Sequence, residues 1–450
     1  MLPRFGKHPH RTAPARTVRT AAVRTAVALT ATAALVALAG CSGTQGATTL
    51  DPSAKVTIQV WSGQADAAEK TIEGLAKEFE KAHPNVTIDM SPGASSTDGL
   101  LQKLSAGFAG NQYPDMSYAF GSWAGQLEAS GRTLDISADV KKPGVNWDEF
   151  TAAARGTAQP SGSKIIGFPA VVDNIGLIYN KTLFDKAGLA YPTADWTWDD
   201  FRAAAKKLTD TANHIYGYGY SVSGSEETTW QFWPHLWQNG GSILNSDGTA
   251  AFHSTAGDDA LTFLRSMAVD DKSVYLDQTD EKFGQLFVSN RIGMITSGPW
   301  ELSDLKTGGT KYGVVQLPGT KGDHQTVSGP DIWALFDHHD KNRAYWATQF
   351  AQWLTSAAQD ERFNVAQGNL PLRSSEASST AVQQQTAQYP GYDVFVANSK
   401  NVKETRPTTQ SYASLSVAIG KAISEVLQGQ GEPAAALDEA AKTADAQAKK

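Results

Sequence analysis

The chain has 450 residues with 39 basic and 46 acidic side chains, a formal net charge of −7. An acidic balance with no basic stripe argues against a nucleic-acid partner, and a single cysteine, Cys41, excludes a disulfide within the chain. A chain this long exceeds what one hydrophobic core sustains, so two domains are expected.

Residues 1–40 carry six of the basic residues (Arg4, Lys7, Arg11, Arg16, Arg19 and Arg24) and no acidic ones. Their loss would leave the remainder at −13. An apolar run from Ala26 to Ala39 follows the basic front; at fourteen residues it is shorter than the roughly 20 that span a bilayer. Basic front, short apolar middle and small residues at the end have the pattern of a secretory signal. Without a twin arginine, the general secretory route is expected. The run closes on Leu38-Ala39-Gly40-Cys41, which resembles the bacterial lipobox, where cleavage precedes the cysteine and its sulfur receives a diacylglycerol. Two acyl chains supply the paired signal that stable anchoring needs. Ser42 to Ala54, small and polar without hydrophobic periodicity, reads as a flexible tether over 41–54.

From Lys55 the pattern becomes that of a folded domain. Val56, Ile58 and Val60 alternate with polar residues up to Trp61, which predicts a strand. Ile72, Leu75, Ala76 and Phe79 recur at helical steps until His83-Pro84-Asn85. Val86, Ile88 and Met90 alternate again; Leu101, Leu104 and Phe108 mark a second helix, and Met116 to Phe120 a third strand. Strand, helix, strand, helix, strand argues for a parallel sheet. Ligands on such sheets bind beyond the carboxyl ends of the strands, which places Trp61 and the Phe120–Trp123 turn at a site. Ile175 to Tyr179 is an apolar run, and Thr197-Trp198-Asp199-Asp200 has the form of a capping box with Phe201, Ala205 and Leu208 turned inward. Helices are expected over 258–267 and 344–354, and a closing pair over 413–427 and 434–449.

Leu177-Ile178-Tyr179-Asn180-Lys181 with Phe184 and Ala187-Gly188-Leu189, then Pro192, Thr197-Trp198, Gly240-Gly241, Ser297-Gly298-Pro299-Trp300, Asn369-Leu370-Pro371, Gly429 and Ala436-Leu437 occur in order along the chain. With them the chain resembles the bacterial extracellular solute-binding proteins of ABC importers, in the branch typified by maltose-binding protein, over nearly all of residues 55–450. The resemblance implies an α/β clamp of the type II periplasmic-binding-protein class, two lobes joined by a hinge and closing on ligand. It assigns 55–172 and 327–375 to the first lobe and 173–326 and 376–450 to the second. It also implies a receptor that hands a sugar to permease subunits from the outer face of the membrane, held there by the lipid on Cys41. A monomer without cofactor is expected.

A sugar offers apolar C–H faces and a rim of hydroxyls, so its site needs flat aromatic surfaces beside carboxylates and amides. By the resemblance, Trp300 and Trp230 are stacking rings and Asp173 a carboxylate that accepts sugar hydroxyls. Trp233 and Trp198 are expected in the core. Trp61 and Gln64 lie at the first predicted strand end and Ser122 and Trp123 at the third. Ser122 and Trp123 stand where maltose-binding protein has a charged pair, which argues against maltose as the ligand. Asp331, Arg373 and Tyr412 fall in segments that face the cleft in the family.

An enzyme is not expected. A glycoside hydrolase needs two placed carboxylates, and nothing singles out a pair. Ser303-x-x-Lys306 and Lys306-Thr307-Gly308 would need one lysine to serve two motifs that occupy separate elements in penicillin-interacting enzymes. The nine histidines have no metal-ligand spacing. The alternatives within the same fold are a glycerol phosphate, a polyamine or a peptide as ligand. For the anchor, Cys41→Ser is expected to leave an uncleaved or soluble form. Mass spectrometry of membrane fractions should find wild-type Cys41 carrying lipid; an unmodified Cys41 there contradicts the reading.

Overall fold

The computed structural model describes residues 46–449 apart from 65, 95–96, 225 and 280–281. The expected signal, lipobox and Cys41 lie outside the described residues. The alternation that begins at Val56 forms β1 (Val56–Trp61), with Ile58 and Val60 fully buried. The helix Asp66–Ala82 follows and buries Ile72, Leu75, Ala76 and Phe79, the residues its periodicity selects. Next come β2 (Val86–Ser91), β3 (Met116–Ala119), β4 (Gly167–Val171), β5 (Gly176–Asn180), β6 (Tyr216–Ser221), β7 (Val274–Asp277), β8 (Ile292–Ser297), β9 (Tyr312–Val315) and β10 (Asp331–Leu335).

They make two five-stranded sheets, ordered β2-β1-β3-β10-β4 and β7-β6-β8-β5-β9. In the first, β1 runs parallel to β2 and β3, while β10 is antiparallel to β3 and β4. In the second, β6 is parallel to β7 and β8, while β5 is antiparallel to β8 and β9. Each sheet is therefore mixed, with four of its five strands pointing the same way. The strands that break the pattern, β10 and β5, are those the chain enters directly on arriving from the other sheet.

One hydrophobic cluster, drawn from Ile58 through Val172 and Ile332 through Leu372, covers the first sheet. The second sheet is covered on both faces: Leu177 and Tyr179 of β5 pack into one cluster, Ile178 between them into another. That alternation within a continuous apolar run is what a strand buried on both faces requires. Leu372 belongs to the first-sheet cluster, whereas Val365, Leu370 and Val382 join the cluster beneath the second. Residues 365–382 thus contribute to the clusters of both sheets.

The capping box is formed: Thr197 Oγ1 accepts from Asp200 N–H, and the Asp200 carboxylate accepts from Thr197 N–H at 3.0 Å. The helix it opens, Trp198–Leu208, buries Trp198, Phe201, Ala204, Ala205 and Leu208. The final helices are Tyr412–Leu427 and Pro433–Ala448. The expected tether does not hold for its described part. Lys341 N–H donates to Ala47 O at 2.8 Å, Asp51 N–H to Asn342 Oδ1 at 2.7 Å, and Asn85 Nδ2 to the carbonyls of Pro52 and Ala54 at 2.9 and 3.0 Å. Residues 47–54 are strapped to the first lobe by backbone groups, which leave no mark in hydrophobic periodicity.

Candidate functional site

The register puts the site where the sheets exchange chain. Because β10 is antiparallel, its first residue Asp331 lies beside the end of β4, with Ile332 opposite Ala119 at the end of β3. Likewise Gly176, opening β5, lies opposite Ser297 at the end of β8. The segments 172–175 and 316–330 therefore run from the carboxyl edge of one sheet to that of the other. They are laced together: Ser328 Oγ donates to Asp173 O at 2.6 Å, Gly329 N–H to Asp173 Oδ1 at 2.8 Å, and Thr326 Oγ1 to Ile175 O at 2.7 Å. Asn398 joins them by donating to Ile175 O at 2.9 Å and to Asn174 Oδ1 at 3.0 Å.

Asp173 is partly exposed and uses only Oδ1 among the described residues, leaving Oδ2 as an open acceptor. Burial, then the neighbouring Asp331, push its carboxyl up to about 7. Asp331 itself is 4% exposed and raised to about 6 by burial. Both its oxygens are occupied, one by the Tyr118 hydroxyl and the other by Gly121 N–H at 2.9 Å. It thereby holds the Gly121–Trp123 turn against the start of β10. Arg406, buried as well, donates to Glu226 Oε1 at 2.7 Å. Burial opposes its charge, and Glu226, Tyr412 and Asp331 together outweigh that opposition. One guanidinium thus stands among Asp173, Asp331, Glu226 and Glu227, and the locus carries more negative than positive groups.

The aromatic residues divide sharply. Trp300, just beyond β8, is 38% exposed. Its indole lies against Gly298, where a Cβ would come within 2.0 Å of the ring, so only glycine permits this pose. Trp61 is partly buried with the Lys103 ammonium 4.2 Å from its ring centroid, and Gln64 is partly exposed nearby in sequence. Trp230 is turned in: the Arg406 guanidinium lies 4.3 Å from its ring centroid, and its edge meets the space where a Cβ on Gly329 would sit, at 2.3 Å. One of its faces is therefore taken by a cation. Trp233 is fully buried, as expected.

Four further expected site residues are packed against their own lobes. Trp123 is buried against Phe120, 5.0 Å between centroids, in the first-lobe core, and Ser122 is buried beside it. Tyr412 is fully buried, accepting from Trp233 Nε1 at 3.0 Å and donating to Glu226 Oε1 at 2.9 Å. Arg373 donates to the carbonyls of Thr355, Val145 and Asn146 and covers the Phe150 ring at 4.0 Å. Those bonds consume the fork of donors that a ligand would need. Arg406, Glu226 and Tyr118 went unnoticed in the sequence. The signal available was Arg406-Pro407 immediately before the closing helix pair, a buried-arginine context that nothing local distinguishes from a surface loop. Among the described residues no cluster of His, Cys, Asp or Glu could hold a metal ion.

The Asp173 shift has a sign that can be tested. A carboxyl raised from 3.8 to about 7 binds protons in the folded state that the unfolded chain has released. Its contribution therefore falls as pH rises from about 4 to about 7. Asp173→Asn keeps the oxygen that accepts from Gly329 and removes the charge. Its unliganded melting temperature should match wild type near pH 4 and exceed it above pH 7, by a stability on the order of 1–2 kcal/mol given the carboxyl's partial exposure. Thermal melts across that range check it; a variant less stable at pH 8 contradicts the assignment.

Similarity to known proteins agrees with this geometry. The family model of bacterial extracellular solute-binding proteins matches residues 64–361. The ABC substrate-binding protein from Listeria monocytogenes in complex with cycloalternan superposes with a TM-score of 0.78 at 26% identity, covering 87% of this chain and 98% of that one. The cyclic alpha-maltosyl-1,6-maltose binding protein from Arthrobacter globiformis gives 0.76 at 25% identity, covering 88% and 99%. The sn-glycerol-3-phosphate-binding periplasmic protein UgpB of Agrobacterium fabrum is 25% identical over 352 residues, 74% of this chain and 78% of the relative. With two mixed sheets exchanging chain at their carboxyl edges and a family match over most of its folded length, the chain belongs to the bacterial extracellular solute-binding proteins.

Proposed function

We propose that the protein captures a neutral sugar or a closely related polyol between its lobes and delivers it to an ABC importer. It would do so from the outer face of the membrane, held by lipid on Cys41. The observation that carries the sugar reading is the pairing of Trp300, exposed at the end of β8, with the open Oδ2 of Asp173 on the crossing segment. A flat ring takes the C–H face of a sugar, and a carboxylate accepts its hydroxyls. Trp61 and Gln64 supply the corresponding edge of the first lobe. The solved relatives named above, with cyclic oligosaccharides in their descriptions, support the same class.

Glycerol phosphate is the alternative raised by the UgpB relative. The excess of carboxylates around Arg406 opposes it, because that guanidinium is already paired with Glu226. A phosphate dianion in that setting would be repelled by Asp173 and Asp331. A cationic solute such as a polyamine suits the charge but not the hydroxyl-accepting geometry, and the same experiment separates the three.

Calorimetric titration of the purified protein against maltose, a cyclic oligosaccharide, ribitol, sn-glycerol 3-phosphate and putrescine is that experiment. A saccharide or polyol should bind and be recovered intact after hours of incubation. Trp300→Ala should weaken it by about 2 kcal/mol, roughly thirtyfold in Kd, with an unchanged melting temperature for the empty protein. Binding of only glycerol phosphate or putrescine, or full affinity in Trp300→Ala, overturns the reading.

A further inference from the structure

A cavity lies in the second lobe, and none of its lining residues is among the cleft candidates named above. Trp198, the first residue of the capped helix, turns inward and donates Nε1–H to Gln238 Oε1 at 2.7 Å. Its ring meets His235 at 4.0 Å between centroids. Phe263, from the helix Thr255–Arg265, lies 5.7 Å from His235 and 6.0 Å from Trp198. These three rings floor a cavity of about 320 Å³, whose rim includes Asp199, Asn239, Asp259 and Lys321.

His235 is 3% exposed, and its ring makes no hydrogen bond among the described residues, although it lines the cavity. Its nitrogens open on the cavity rather than being sealed in the core, free to pair with a hydroxyl there. Burial also pushes this imidazole down to about 3, so it is neutral, with one nitrogen donating and the other accepting. Asn239 spends Nδ2 on the carbonyl of His235 at 2.8 Å and keeps its oxygen. Aromatic floor, uncharged imidazole and a rim of acceptors with one ammonium match a ligand that has an apolar face and several hydroxyls. Two rim carboxylates against one lysine disfavour an anion. The volume is at the lower end of the roughly 300–1,000 Å³ usual for small-molecule sites, which suits one ring rather than an oligosaccharide.

We propose that this cavity is a second binding site, for a single neutral sugar ring, with its C–H face on Trp198, His235 and Phe263 and its hydroxyls on the imidazole and the rim. The proposal does not depend on what the cleft binds. The probe is methyl α-D-glucopyranoside at millimolar concentration, added to full-length protein with isotope-labelled histidine and followed by NMR. The His235 ring signals, identified by their absence in His235→Phe, should shift saturably. They should shift equally in Trp300→Ala, which separates this cavity from the cleft. Asp259→Ala, a change on the exposed rim, should weaken the effect at least fivefold without altering the melting temperature, and serves if His235→Phe does not fold. Silent His235 signals, a shift lost in Trp300→Ala, an effect indifferent to Asp259→Ala, or a larger shift with putrescine than with the glucoside would each overturn the proposal.

Discussion

Two carboxylates are held at the point where the chain changes sheets, and much of the site is arranged around that fact. Asp173 sits on the first crossing and Asp331 at the end of the second. Burial raises the cost of ionising both, Asp331 adds to it for Asp173, and the nearby guanidinium of Arg406 is paired with Glu226. A protein selected for stability alone would gain by replacing such a cluster with apolar groups. Its retention at a chain crossing is what a receptor needs if incoming hydroxyls are to complete the hydrogen bonding of groups the fold leaves short. Asp331 shows the same chemistry already completed from within: Tyr118 and Gly121 take both its oxygens and fix the turn that follows β3.

The aromatic residues obey a related division between completed and open contacts. Trp233 has its indole N–H on Tyr412, Trp198 has its own on Gln238, and Trp230 has a guanidinium on its ring. Trp300 stands apart because Gly298 beneath it lets the ring lie over the chain at the edge of β8 and stay in solvent. Leaving a large apolar surface exposed is unfavourable unless something covers it, and its position at the carboxyl edge of the second sheet says where that cover would come from.

How much of this is readable without coordinates follows from the range of each interaction. The capping box at Thr197 and the inward turn of Trp198 are local and legible from four residues. So is the exposure of Trp300, since Gly298 and Pro299 flank it in sequence. The run 175–179 is apolar throughout, and in the structure β5 is covered on both faces by two separate clusters. By contrast, Arg373 and Arg406 look alike in sequence, each beside a proline-containing stretch. Carbonyls more than two hundred residues away in the chain take up the first, and the second pairs with Glu226, 180 residues earlier. Ser122 and Trp123 sit at a strand end, as expected, yet face the core because Asp331, from a distant strand, holds the turn inward. Contacts of that separation leave no periodic trace.

In the proposed function the Asp173 carboxyl, raised by its surroundings, becomes an acceptor for ligand hydroxyls. Hydroxyl donors favour the ionised form, so binding near pH 6.5 must expel a proton from the fraction of molecules still protonated. Titration calorimetry of the bound sugar in two buffers of different ionisation enthalpy measures that proton directly. Net proton release is expected at pH 6.5 and vanishes above pH 8.5. Buffer-independent heats at pH 6.5, or proton uptake, would contradict it.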